Sequence, residues 1–164
     1  MTRLLYMDGI DGCYERRFEA TVVEALPDAV VLDQSLFYPL GGGQEWDVGA
    51  LRHDGRELAV REVTKRGLVR HVVGPGHGLR PGDRVEGEID WPRRYAHMRM
   101  HTAQHLVSGL AYELFGGVRT VGNQIHAERS RIDLRPVEFT NQMLSDLEAA
   151  ANDAVRAGHR VEAV

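Results

Sequence analysis

The sequence predicts an α+β protein: a small β-barrel-like domain over residues 1–90, then an α+β domain over residues 91–164 with helices packed on an antiparallel sheet. Short runs rich in β-branched and aromatic residues, punctuated by turn residues, fill residues 16–90. At Asp90 the hydrophobic period changes from two to a mixture of three and four. Beyond it, two helix-period segments flank two strand-like runs.

The elements follow in order. "FEATVVEAL" and "AVVLDQSLFY" read as strands on composition, with "PD" as the turn between them. "ELAVREVTKRG" alternates in part, and "HDG", "GPGHG" and "RPGDR" are turns. "RVEGEIDW" alternates cleanly, with Val85, Gly87 and Ile89 on one face and Glu86, Glu88 and Asp90 on the other. Short strands at this spacing suggest a small barrel or compact β-domain.

Asp90 is suited to cap a helix, and Pro92 fits its first turn. Tyr95, Met98, Thr102, Leu106, Gly109, Leu110 and Leu114 then give its predicted buried face, with a stop near Gly116-Gly117. "VRTVGNQI" and "SRIDL" read as strands. A second helix is expected from an N-cap at Thr140 to a stop at Gly158, with Met143, Leu144, Leu147, Ala151, Ala154 and Val155 as its apolar face. "HRVEAV" reads as the start of a further strand, so the rest of this domain is expected beyond residue 164.

Composition is that of an ordinary globular chain, 43% hydrophobic and 27% charged. No apolar run reaches membrane-helix length, and the N-terminus lacks the apolar core of a signal peptide. A lone cysteine, Cys13, precludes an internal disulfide and suits a reducing compartment. The net charge of -4 argues against indiscriminate polyanion binding. Residues 1–90 carry 11 Lys+Arg against 16 Asp+Glu, while residues 91–164 carry 9 against 8. Polyanion contact therefore falls more naturally to the second part, where "WPRRYAHMR" supplies Arg93 and Arg94; a solvated helix start is the alternative.

"HMRMHTAQHLVSG" places His97, His101 and His105 at every fourth position. On a helix, residues four apart share a face about 6 Å apart along the axis, within reach of one metal ion. All three would span about 12 Å, so one adjacent pair must be chosen. His101 and His105 are preferred: His105 is expected on the buried side, His97 exposed near the helix start. HxxxH alone leaves packed or surface histidines open. A zinc site also needs three or four protein ligands, and no second pair at ligand spacing is present. His126 is a possible further donor, with a surface position as the alternative.

The other unusual segment is "FYPLGGGQEWDVG". Consecutive glycines cost backbone entropy, so a close approach or a positive-φ turn is expected there. It is not a phosphate loop, because no Lys-Ser/Thr follows and a strand rather than a helix is expected next. It reads either as a backbone surface against the second domain's cleft or an RNA end, or as a tight turn.

"LFYPLGGGQEWDVG", "RRYAHMRMHTAQHLVSGLAYELFG" and "TVGNQIHAERSRIDL" resemble, in that order, the alanyl-tRNA editing proteins (AlaX type), free-standing relatives of the editing domain of alanyl-tRNA synthetase. The match runs from about Tyr14 to Val164. The threonyl-tRNA synthetase editing domain shares the HxxxH idea but not the glycine-rich β-domain. The resemblance makes residues 91–164 the N-terminal portion of an HxxxH editing domain. It implies a cytoplasmic, ATP-independent hydrolase of translation fidelity, cutting the aminoacyl ester of tRNA(Ala) mischarged with serine or glycine, with no membrane and no obligate protein partner.

It also implies zinc held by His101 and His105, Gln104, Thr120, Asn123 and Gln124 as catalytic or pocket residues, and tRNA contact by Gly41, Gly42, Gly43 and Gln44, to which the basic Arg93 and Arg94 are added. The family completes its zinc site with a later CxxxH pair, so the remaining ligands are expected beyond residue 164. Neither a serine-nucleophile elbow nor a supportable cysteine–histidine pair is present, so a covalent intermediate is not expected. Two other classes remain: a non-catalytic RNA-binding module of the same fold, and a structural domain of a longer synthetase-like protein.

Overall fold

A computed structural model describes residues 1–136 and 138–161. The chain is α+β, with eleven strands and three α-helices among the described residues. It forms two compact units: Met1–Gly41 with Glu45–Tyr95, and Gly42–Gln44 with the segment from Ala96 onward. The division falls inside a helix and lifts Gly42, Gly43 and Gln44 out of the surrounding β-structure.

In the first unit the strands are β1 (Arg3–Leu4), β2 (Arg17–Ala25), β3 (Ala29–Leu32), β4 (Gln34–Ser35), β5 (Gly49–His53), β6 (Arg56–Val60), β7 (Glu62–Arg66), β8 (Leu68–Val72) and β9 (Arg84–Ile89). Seven of them make one antiparallel sheet in the order β6-β5-β9-β2-β3-β8-β7, while β1 and β4 pair in parallel. Strand β2 is shared along its length: residues 17–21 pair with β9, and Val22, Glu24 and Ala25 pair with β3 across a register shift. Its alternating Phe18, Ala20 and Val22 are buried, as a strand with one face on a core requires.

The expected barrel does not close. Strands β6 and β7 are the two edges of the sheet and do not pair with each other. The chain nevertheless crosses from one edge to the other through Arg61 alone, so the sheet curls until these edges meet at a single residue. Closure is covalent at one corner rather than a ring of hydrogen bonds. Inside lie Phe18, Val30, Leu32, Phe37, Leu51, Val63 and Ile89 among others. Gly87 is required here, because a Cβ would overlap the Phe18 ring. The short helix α1 (Ile10–Tyr14), with β1, β5 and β8, is not evident in sequence periodicity.

Helix α2 (Trp91–Leu114) starts where the sequence puts it: the Arg93 N–H donates to Asp90 Oδ1 at 3.1 Å. Gly116 and Gly117 take positive φ just past its end. Strands β10 (Arg119–Gln124) and β11 (Arg131–Arg135) form an antiparallel pair. Helix α3 (Asn141–Ala157) is capped by Thr140 Oγ1, which accepts from the Met143 N–H, and ends at left-handed Gly158. Leu147 is buried, whereas Leu144 and Val155 are exposed. Residues 159–161 form no strand, and the remainder of the expected "HRVEAV" strand lies outside the described residues. Among the described residues, no helix is long and apolar enough to cross a membrane.

Candidate functional site

The predicted buried face of α2 is corrected by the structure. Tyr95, Thr102, Gly109 and Leu114 are exposed, and Met98, Leu106 and Leu110 only half-buried. The buried positions are Arg94, His97, Gln104 and Ala111, with His101 and Ser108 partly covered. These six recur at intervals of three and four residues, so they form one stripe, and most of it is polar. A polar stripe turns inward only where its groups meet partners.

His101 and His105 stack, with ring centroids 5.1 Å apart and planes at 14°. His101 is half-buried, whereas His105 is exposed, contrary to its expected inward orientation. His97, expected at the surface, is fully buried. The helix phase explains both: His97 shares the stripe of Gln104 and Ala111, seven and fourteen residues on, while His105 is one residue past Gln104 and turns toward solvent.

Burial, and secondarily the neighbouring His105, holds the His101 imidazole below the ordinary histidine range, which favours the neutral form that ligates metals. His101 Nδ1 is 2.8 Å from Gln44 Oε1. Gln44 is 3% exposed and bridges Ile125 in parallel, with the Ile125 N–H donating to Gly43 O at 2.7 Å. Gly43 has φ 79°, and a Cβ there would overlap the Asn123 side chain. Gly42 also has positive φ, 59°, and is exposed.

Beyond Gln44 a chain of polar contacts follows the seam between α2 and β10. Asn123 Nδ2 donates to Gln104 Oε1 at 3.4 Å, and Gln104 Nε2 donates to Ser108 Oγ at 3.0 Å. Ser108 Oγ is 2.7 Å from Thr120 Oγ1. Gln104, Asn123 and Thr120 are thus brought together with a residue that sequence reasoning missed, Ser108. The signal was present: Ser108 is seven residues after His101 and four after Gln104. Gln124 is exposed and stands outside this chain of contacts, as does exposed His126.

Two imidazoles with one Nδ1 occupied by an amide oxygen fit two donors of a tetrahedral ion, not its full set. Among the described residues, no group of three His, Cys, Asp or Glu completes such a site.

In the first unit, Arg94 is 3% exposed and ion-paired with Asp47, which is 1% exposed; its guanidinium also donates to Leu36 O. That leaves it no surface with which to meet a phosphate. Arg93 donates to Glu45 Oε2 at 3.0 Å and to Trp46 O, and keeps some exposure. Ser35 Oγ and His71 Nε2 are 2.8 Å apart, but both side chains are sealed in the core.

Residues 10–93 match the model of the class II (A) tRNA synthetases. The chain is 41% identical to the alanyl-tRNA editing protein AlaX-M of Methanosarcina acetivorans, over 98% of this chain and 68% of that protein. The chain belongs to the alanyl-tRNA editing protein family. The Methanosarcina barkeri AlaX-M is likewise 41% identical, over 94% of this chain and 65% of its own length. The alanine–tRNA ligase of Thermococcus kodakarensis is 36% identical over 98% of this chain, which corresponds to 17% of the ligase. The chain thus spans about two thirds of the length of its editing-protein relatives. Within this chain, the HxxxH and Gly42–Gln44 of the glycine-rich segment lie in one compact unit, joined at His101 and Gln44.

Proposed function

We propose that this chain carries the front part of a trans-editing hydrolase that removes serine or glycine from mischarged tRNA(Ala) by cleaving the aminoacyl ester, in the cytoplasm and without ATP. The observation that carries the proposal is the part-buried polar chain Asn123–Gln104–Ser108–Thr120, which links β10 to the helix that bears His101 and His105 in a member of this family. His101 and His105 are proposed to hold zinc together with donors from outside the described residues. When bound, zinc there would position the terminal ribose and aminoacyl group or activate a water.

The hydroxyls are proposed to discriminate serine from alanine; glycine, which has no hydroxyl, does not use this contact. Gln104 donates to Ser108 Oγ, and with the Ser108 proton given to Thr120 in turn, the Thr120 proton would remain for a substrate group. A serine hydroxyl answers that donor, whereas alanine leaves it unpaired. A site built around a polar group can reject the analogue that lacks it more strongly than an apolar pocket rejects a methylene. The exposed backbone of Gly42 and Gly43 is proposed to face the tRNA end, and Gln124 to lie at the rim. Gly41 and Arg93 are proposed as further tRNA contacts; Arg94, sealed in its ion pair, is not.

Deacylation of Ser-, Gly- and Ala-tRNA(Ala) by the purified chain tests this, beside a form as long as the relatives. Hydrolysis of the mischarged forms with Ala-tRNA spared is expected. Equal hydrolysis of all would sink the editing claim and spare the hydrolase. Binding without hydrolysis in both lengths would favour a non-catalytic RNA module. Neither binding nor hydrolysis would favour a structural domain of a longer synthetase-like protein.

A further inference from the structure

Gln44 belongs to the segment assigned above to RNA contact, yet its side chain is buried. The bridge to Ile125 and the Gly43 carbonyl's bond from the Ile125 N–H hold its backbone, and Gly43 lies against Asn123. From this fixed position Gln44 Oε1 meets His101 Nδ1 at 2.8 Å. An amide oxygen only accepts, so the contact needs a proton on Nδ1. A neutral imidazole has one N–H proton; placed there, it leaves the lone pair on Nε2. Metal-binding histidines are held in this way, with the second ring nitrogen donating to an acceptor that fixes both tautomer and ring orientation.

We propose that Gln44 is a positioning residue for His101, its side-chain oxygen fixing the Nδ1–H tautomer so that Nε2 is presented to a divalent cation. This rests on His101 and His105 being metal donors, as proposed above. It gives the buried end of the glycine-rich segment a role that requires no RNA contact. The glycines then have a local purpose as well. Positive φ at Gly42 and Gly43 carries the backbone close to β10, which delivers the amide of Gln44 to the helix.

The test is a long-range 1H–15N correlation spectrum of the metal-free chain in mildly alkaline buffer, which reports which ring nitrogen of His101 carries the proton. Wild type, Gln44→Leu and Gln44→Glu are compared, and each is titrated with zinc in a form as long as the editing-protein relatives, which is expected to carry the remaining donors. Wild type and Gln44→Glu are expected to show Nδ1–H, because both present an oxygen. Gln44→Leu loses the single tautomer and binds zinc about 10–100-fold more weakly. An Nε2–H tautomer in the wild type, with the amide reversed to donate, overturns the proposal without requiring any variant to fold. So does an unchanged tautomer or zinc affinity in folded Gln44→Leu. If the wild type shows the expected tautomer but binds no zinc, the metal role of His101 falls, and the cation half of this proposal with it. If zinc binds but the tautomer does not depend on Gln44, only the role of Gln44 falls.

Discussion

The hydroxyls of Ser108 and Thr120 are 2.7 Å apart, tying the later turns of α2 to the start of β10. Thr120→Val keeps the shape and removes the hydroxyl partner of Ser108. The variant is expected to lose about 1 kcal/mol in chemical denaturation. Preference for Ser-tRNA(Ala) over Ala-tRNA(Ala) should fall by about tenfold or more in single-turnover deacylation, since a polar group that answers the substrate is worth that much. An unchanged ratio would remove Thr120 from the discriminating pocket.

Gly43 and Gly42 both have positive φ, and a Cβ at Gly43 would also overlap the Asn123 side chain. Gly42→Ala should cost about 1–2 kcal/mol, the penalty for an L-residue in that region. Gly43→Ala should cost clearly more, because Asn123 must also move. Urea unfolding of the two variants compares them directly. Equal losses would mean that the approach of the backbone to Asn123 contributes nothing.

His71 makes the first unit sensitive to acid. Its Nδ1 donates to Val30 O, its Nε2 accepts from Ser35, and burial outweighs the Val30 bond to push its pKa from 6.5 down to about 4. The folded state therefore keeps His71 neutral. Above about 6.5 both states are neutral and pH has no effect through this group; as pH falls below it, only the unfolded chain takes up the proton. Stability is expected to drop by about 3 kcal/mol as pH falls from that value to about 4. Comparing unfolding at both ends with His71→Asn isolates the contribution. A variant with the same acid slope as the wild type would assign it elsewhere.

Arg94 and Asp47 form a buried pair, and Tyr38 donates its N–H to the same carboxylate oxygen at 2.8 Å. Arg94→Met strands the carboxylate and should cost about 3–5 kcal/mol, whereas the double variant with Asp47→Leu should recover much of the loss. Thermal unfolding of the three proteins makes the comparison. A large loss of tRNA affinity in the stable double variant would instead make Arg94 an RNA contact. Arg93→Ala, on the more exposed pair with Glu45, should cost no more than about 1 kcal/mol.

The course of the chain was legible where local physics decides it. Asp90, Thr140 and Gly158 mark helix ends because capping is satisfied by groups a few residues away. Val85, Gly87 and Ile89 are buried while Glu86 and Asp90 are exposed, as alternation alone predicts. The histidine spacing identified a pair that does stack, and its motifs identified the family.

Which side of α2 faces inward was not legible. Periodicity counts apolar residues, and it selected Tyr95, Thr102 and Leu114, which are exposed. The buried stripe is polar, and its fate depended on partners remote in the chain: Asp47 for Arg94, Gln44 for His101, Thr120 for Ser108. Burying a polar group is unfavourable alone and acceptable once its hydrogen bonds are met, so no window of local sequence contains the deciding term. The open edges of the curled sheet have the same origin. Strand composition predicted strands, but only the pairing order placed β6 and β7 at opposite edges with Arg61 between them. The sequence alone determined the elements, their caps and the chemical types available; the tertiary structure decided which of those groups meet, because the meeting of distant polar partners is what makes their burial possible.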